Sequence, residues 1–237
     1  MLGCPVDVVD MPTATARLVD LVEHGRERPG GSVVVTLNPE MVMRARHDPS
    51  FREVIEDAAM LVPDGIGVVR ALRRRGHRAA VRVGGADLLD RYFPEAARRG
   101  HRVALAGAAP GVAAVAARRL TARHPGLDIV AADPGAPDAN LAARLRDRRP
   151  DLVLAAFGHG RQELFLHDHL VAIDAAAGVG VGGTLDYIAG RRRRSPAFMR
   201  RAGMEWAWRL GIEPWRLRRQ LQLPRFWVLE RLEARRG

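Results

Sequence analysis

The chain contains no lysine, a single cysteine, Cys4, and no apolar stretch approaching the roughly eighteen residues of a spanning helix. One cysteine excludes a disulfide framework, and the N-terminus lacks the basic region and apolar run of a secretory leader. A cytoplasmic location is the expectation. All 38 basic residues are arginines, so the absence of lysine reads as coding bias, and arginine at a single position carries no special meaning. Aromatic residues make up only 5% of the chain, and all four tryptophans, Trp206, Trp208, Trp215 and Trp227, fall in its last fifth.

Charge is distributed as unevenly as tryptophan. Residues 1–190 hold 24 arginines against 23 acids, whereas residues 191–237 hold 14 arginines against 4 glutamates. The Arg191 to Arg194 run divides the two parts. The 237 residues thus read as a near-neutral body over 1–190, long enough to bury a full core, and a basic, Trp-bearing extension over 191–237.

In the body, short apolar runs alternate with Ala-, Arg- and Leu-rich stretches. Strands are predicted at Val33 to Leu37, Val103 to Ala106, Ile129 to Ala132, Leu152 to Phe157 and Gly178 to Val181. Helices are predicted at Pro39 to His47, Arg52 to Ala59, Ile66 to Arg75, Ala86 to Arg99, Pro110 to His124, Asn140 to Arg148 and Gln162 to Leu170. This alternation argues for a parallel sheet covered on both faces. In the extension, Pro196, Pro214 and Pro224 suit first helical positions, giving helices near 196–211, 214–222 and 224–235.

Polar residues at the carboxyl ends of strands line the ligand crevice of such a sheet. Thr36-Leu37-Asn38-Pro39-Glu40 supplies an N-cap, a first-position proline and a first-turn acid, and Pro63-Asp64-Gly65-Ile66-Gly67 supplies a second turn. Thr36, Asn38 and Asp64 are therefore candidates to meet one small molecule, or they are ordinary capping and corner residues. Asp64 is the best candidate general base, because the glycine after it leaves room for a substrate. Arg82 offers a charge-assisted contact to a phosphate or acid. Two small-residue turns, Gly107 to Gly111 and Gly180 to Thr184 with Gly183 within it, could present amides to a diphosphate or merely let helix pack on sheet. The first lacks the Gly-x-Gly-x-x-Gly spacing of a dinucleotide turn, which disfavours a nucleotide-dependent oxidoreductase. Gln162 suits a sugar hydroxyl or an ordinary first helical turn. His167 and His169 are two apart and diverge by about 200° on a helix, so no metal site is expected there.

Taken in order, these motifs resemble the WecG/TagA/CpsF family of bacterial glycosyltransferases. The likeness runs from about residue 6 to 221 through Thr36 to Glu40, Pro63 to Gly67, Arg82 to Asp87, Gly107 to Gly111, Gly158 to Glu163, Gly182 to Gly190 and Glu205 to Pro214. It implies a Rossmann-like α/β body with a C-terminal helical appendage. The implied reaction is inverting transfer of a sugar, often of N-acetylmannosamine type, from a UDP-sugar to a polyprenyl diphosphate-linked acceptor at the inner face of the cytoplasmic membrane. By the same resemblance Asp64 is the base, and Thr36, Asn38, Arg82 and Gln162 line the sugar-nucleotide pocket with Asp186 near the uridine. Arg209, Arg216 and Arg219, spaced seven then three apart, would fold over the site to meet the diphosphate. Neither metal nor other cofactor is expected. Peripheral membrane association is, nucleic acid is not, and a homo-oligomer is left open.

Two positions depart from the family pattern. Gly160 stands where the Gly-x-Pro-x-Gln-Glu motif has proline, and Leu185 replaces a phenylalanine beside Asp186. The extension by itself also fits other readings: arginines on nucleic-acid phosphates with stacked tryptophans, arginines on anionic lipid with interfacial tryptophans, or a solvated helical hairpin packed on the body. The rival to the enzyme reading is a peripheral membrane or nucleic-acid-binding protein with a non-catalytic nucleotide-binding body.

Overall fold

The computed structural model describes residues 1–28, 31–196, 198–199, 204–212 and 222–234. Its centre is a sheet of six parallel strands: β1 (Ser32–Leu37), β2 (Met60–Pro63), β3 (Arg102–Gly107), β4 (Asp128–Asp133), β5 (Leu152–Ala156) and β6 (Ala177–Gly180), in the order β2-β1-β6-β5-β3-β4. Parallel strands need crossovers, and the helices that make them cover both faces, as the alternation of the sequence implies. On one face α1 (Met11–His24), α5 (Gly85–Arg99), α6 (Val112–Arg123) and α9 (Thr184–Ile188) bury Leu18, Leu88, Tyr92, Leu120 and Leu185 against Val34, Val62, Leu105 and Leu154. On the other, α2 (Pro39–Ala45), α3 (Pro49–Asp57), α7 (Ala139–Arg146) and α8 (Arg161–Ile173) bury Val42, Phe51, Leu141 and Leu166 against Val33, Val35, Ala104 and Val153. Successive strand residues serve opposite cores, as a pleated strand buried on both faces requires. A smaller cluster gathers Val68, Val69 and Leu72 of α4 (Ile66–Arg74) with Ala80.

Three elements were not predicted: α1, β2 and the short α9. Helix α1 has clear local causes: Asp10 caps it by accepting from the Thr13 amide at 2.9 Å, Pro12 lies in its first turn, and Ala14, Leu18, Leu21 and Val22 repeat at helical spacing. Strand β2 has only four residues and pairs with β1 alone, so its terminal Pro63 is tolerated at the edge. Asp7 closes the other side of β2: its amide donates to Leu61 O at 2.9 Å and its carboxylate accepts from Leu61 N at 2.8 Å.

Two helices of the extension are described, α10 (Glu205–Ile212) and α11 (Gln222–Ala234). A single helix over 196–211 is not formed, because Met204 is non-helical and its carbonyl starts α10 by accepting from the Ala207 and Trp208 amides. The expected helix at 214–222 lies outside the described residues, apart from Gln222. Helix α11 begins two residues before Pro224, which still falls in the first turn where a missing N–H is harmless. It packs on α2 and α4, with Phe226 fully buried in the second core. Glu230, also fully buried, pairs with Arg74 and Arg75, and Glu233 pairs with Arg75 and accepts the Leu2 amide at 2.8 Å.

Candidate active site

The strand order places the candidate residues along one edge of the sheet. At the carboxyl ends, Asp64 follows β2, Thr36 and Asn38 end β1, Gly183 and Asp186 follow β6, Gln162 opens the helix after β5, and Gly107 ends β3. Neighbouring parallel strands are about 4.8 Å apart, so this row spans about 19 Å from β2 to β3. Residues far apart in sequence are thus gathered where open α/β sheets bind ligands.

Asp64 is held from two sides. Its amide donates to Leu37 O at 2.8 Å, locking it beside the end of β1, and Arg82 Nε donates to its Oδ1 at 2.9 Å. Arg82 in turn reaches Asp87 Oδ2 through Nη1 at 3.3 Å, and Asp87 Oδ1 meets Arg194 Nη2 at 2.7 Å. The Arg82 guanidinium lies across Gly84, where any Cβ would collide with it. Gly65 has φ +90°, a conformation that favours glycine, and it turns the chain from Asp64 into α4. At Gly67 a Cβ would lie 2.7 Å from Pro39 Cγ, so the two motif turns touch only because residue 67 is glycine. Phe226 and the Trp227 indole nitrogen lie 3.5 Å from the same position, which places α11 directly on that contact.

Asn38 caps α2, its Oδ1 accepting from the Glu40 and Met41 amides at 3.0 and 3.2 Å. Thr36 packs beside Gly85 at the start of α5. Gln162, expected on a sugar hydroxyl, is buried and ties two loops together: its Oε1 accepts from Gly182 N at 3.0 Å and its Nε2 donates to Glu163 Oε1 at 2.7 Å. Glu163 Oε2 accepts the Gly160 amide at 2.6 Å, and burial pushes the Glu163 carboxyl above the ordinary range. Gly183 faces open space at the start of α9, and Asp186 lies half-buried in that helix's first turn. Gly107, with φ +84°, admits the Phe157 ring, which would stand 2.5 Å from a Cβ there. The Ala108 amide is taken by Ala156 O at 2.9 Å, so this turn serves close packing in the structure. Arg209 lies on α10 with its side chain outside the described residues, and Arg216 and Arg219 lie outside them altogether.

The spacing Gly-x-Gly-x-x-Gly does occur, at Gly178, Gly180 and Gly183, but its first two glycines lie inside β6. There they admit Leu166 and Gln162 instead of forming a phosphate turn. His167 and His169 separate as the spacing predicts: His167 meets Asp57 and Asp168, and His169 meets the Phe165 ring.

A family model described as the Glycosyl transferase WecG/TagA/CpsF family matches residues 1–237. The chain belongs to this family of glycosyltransferases. Two relatives named N-acetylglucosaminyldiphosphoundecaprenol N-acetyl-beta-D-mannosaminyltransferase accompany that match. The one from Bacillus subtilis (strain 168) is 31% identical over 208 residues, covering 87% of this chain and 81% of the relative. The one from Bacillus spizizenii (strain ATCC 23059 / NRRL B-14472 / W23) is 33% identical over 198 residues, covering 83% and 77%.

Within the WecG/TagA/CpsF frame the two departures lie in well-defined surroundings. Gly160 has φ +85°, and the Arg44 guanidinium fills the space a Cβ would take. Arg44 reaches there from α2, held by Asp48 Oδ2 at 2.8 Å and lying 4.7 Å over the Phe51 ring. Leu185 is fully buried in the first core, so its exchange for phenylalanine changes packing beneath Asp186. Sequence reasoning missed Arg44, Asp87, Glu163 and Arg194. Glu163 carried a signal, since a buried Gln-Glu pair opening a helix invites pairing with the preceding loop; the others depend on long-range approach.

Proposed function

We propose that this glycosyltransferase moves a sugar from a UDP-sugar to a polyprenyl diphosphate-linked acceptor with inversion, in cell-surface polysaccharide synthesis. The observation that carries the reading is the placement of Asp64 at the crevice edge, anchored to β1 and Arg82. The relatives' name supports an N-acetylglucosaminyl diphosphoundecaprenol acceptor and an N-acetylmannosaminyl product.

In this reading the acceptor hydroxyl oxygen attacks the anomeric carbon while Asp64 takes its proton. The bond from that carbon to the diphosphate breaks, and UDP leaves with the electron pair. Thr36, Asn38 and Arg82 line the donor side, with Gly183 and Asp186 beside β6. Gln162 holds the loops of β5 and β6 in register from beneath. No metal is required where arginines and amides receive the diphosphate charge, the role assigned to Arg209, Arg216 and Arg219. The basic extension meets anionic lipid at the inner membrane face. Among the described residues no helix is long and apolar enough to cross a membrane.

The test incubates full-length protein with a lipid-diphosphate N-acetylglucosamine acceptor and a panel of UDP-sugars, without added metal. Transfer from at least one UDP-sugar, giving a product of inverted anomeric configuration, is expected. No transfer from any of them, or a retained configuration, contradicts the proposal.

A further inference from the structure

We propose that Arg194, the last arginine of the run joining body to extension, is a positioning residue for the Asp64 carboxylate, acting through Asp87 and Arg82. The catalytic meaning of this rests on the proposed role of Asp64; the geometry does not. Four charges alternate in sign along one line: Asp64 to Arg82 at 2.9 Å, Arg82 to Asp87 at 3.3 Å and Asp87 to Arg194 at 2.7 Å. Arg194 also reaches Asp90 at 3.4 Å, one turn along α5, where Arg123 of α6 approaches the same carboxylate at 3.8 Å.

Arg194 differs from its neighbours in the run. Arg191, Arg192 and Arg193 are exposed, whereas the Arg194 side chain is 21% exposed and turned onto α5. The segment is tied down on both sides of it. Asp186 O accepts the Arg191 and Arg192 amides at 3.0 and 3.2 Å, and Ser195 is buried. The start of the extension is therefore fastened to the carboxylate that shares Arg82 with Asp64. Side chains along the line are a third exposed or less, so solvent weakens the coupling without abolishing it.

The arrangement gives two changes opposite effects. Asp64 and Asp87 share one guanidinium. Neutralising Asp87 removes a negative charge that competes with Asp64 for Arg82, favouring the Asp64 carboxylate. Removing Arg194 leaves Asp87 to draw Arg82 away from it, which disfavours that carboxylate.

The experiment uses full-length Asp87→Asn, Arg194→Gln and Arg194→Lys variants, with the Asp64 carboxyl titration followed by carbon-detected NMR and transfer kinetics measured alongside. The Asp64 midpoint is expected to fall in Asp87→Asn, rise in Arg194→Gln and return toward wild type in Arg194→Lys. In Arg194→Gln, kcat should drop about tenfold, a displaced base being slower, with KM for the UDP-sugar within about twofold. If Arg194→Gln does not fold, Arg194→Lys against Asp87→Asn carries the test, and the midpoint must still move in Asp87→Asn alone. An Asp64 midpoint unmoved in every variant, or moved the same way by Asp87→Asn and Arg194→Gln, overturns the proposal. A wild-type protein that transfers no sugar overturns the functional reading only, because the titration still judges the coupling.

Discussion

At the residue scale, Asp64, Asn38 and Thr36 were legible because turn chemistry and strand ends are local signals. Asn38 is the clearest case, since an Asn-Pro-Glu run announces its own cap, and the cap forms. Gln162 was legible as a residue of consequence, whereas its bonds to Gly182 and Glu163 were not, because sequence does not show which loops meet its amide. The Asp87–Arg194 pair was not legible at all, since a contact across more than a hundred residues is set by topology. Gly160 illustrates the same point and yields a prediction. Restoring the family proline by Gly160→Pro should destabilise the protein by about 3 kcal/mol or more, read as a lowered midpoint in urea unfolding. Proline cannot adopt φ +85°, it meets Arg44, and it removes the amide that Glu163 accepts. A variant as stable as wild type would show that the loop can refold around the ring.

At the scale of elements, long amphipathic helices and β-branched strands were found within three residues of their ends. The four-residue β2 escaped because a short apolar run ending in proline has too little pattern, and α1 escaped although its cap was visible. Helix α11 sits differently from a solvated appendage: Phe226 enters the core and Glu230 is buried between two arginines of α4 and the residue after it. Cutting the chain near Gly190 would therefore open the second core as well as remove the basic extension, and it is a poor test of the extension alone. Glu230→Gln keeps the shape and removes the charge. It should cost about 2 kcal/mol, the worth of a charge-assisted hydrogen bond, and should raise hydrogen exchange in α11 and α4 ahead of the sheet. Unchanged exchange in α11 would mean Phe226 alone holds the helix.

At the scale of the whole molecule, the division into a near-neutral body and a basic extension was visible from composition, whereas the strand order that lines up Asp64, Thr36, Gly183 and Gln162 was not. Parallel crossovers constrain handedness, but they leave the order of six strands open. Protonation also acts globally. Burial lowers the pKa of His101, which hydrogen-bonds the Tyr92 hydroxyl at 2.8 Å, and burial likewise lowers that of His124. For both, the unfolded chain binds more protons, so their contribution to stability is present above the unfolded value of about 6.5 and is lost as pH falls below it. Two groups act in the opposite sense. Burial raises the Glu163 pKa, and at His167 hydrogen bonds donated to Asp57 and Asp168 outweigh burial to raise it. The double variant His101→Gln, His124→Gln should consequently show a flatter loss of Tm between pH 7 and 5 than the wild type; an equally steep loss would assign the acid sensitivity to carboxylates.

The assignment of Asp64 as the base is tested most directly by replacing it with asparagine, which is nearly isosteric and cannot take the proton. With the lipid-diphosphate acceptor and the best UDP-sugar, kcat of Asp64→Asn should fall about 10²- to 10⁴-fold, with UDP-sugar binding measured by calorimetry little changed. A kcat within a few-fold of wild type would contradict the assignment.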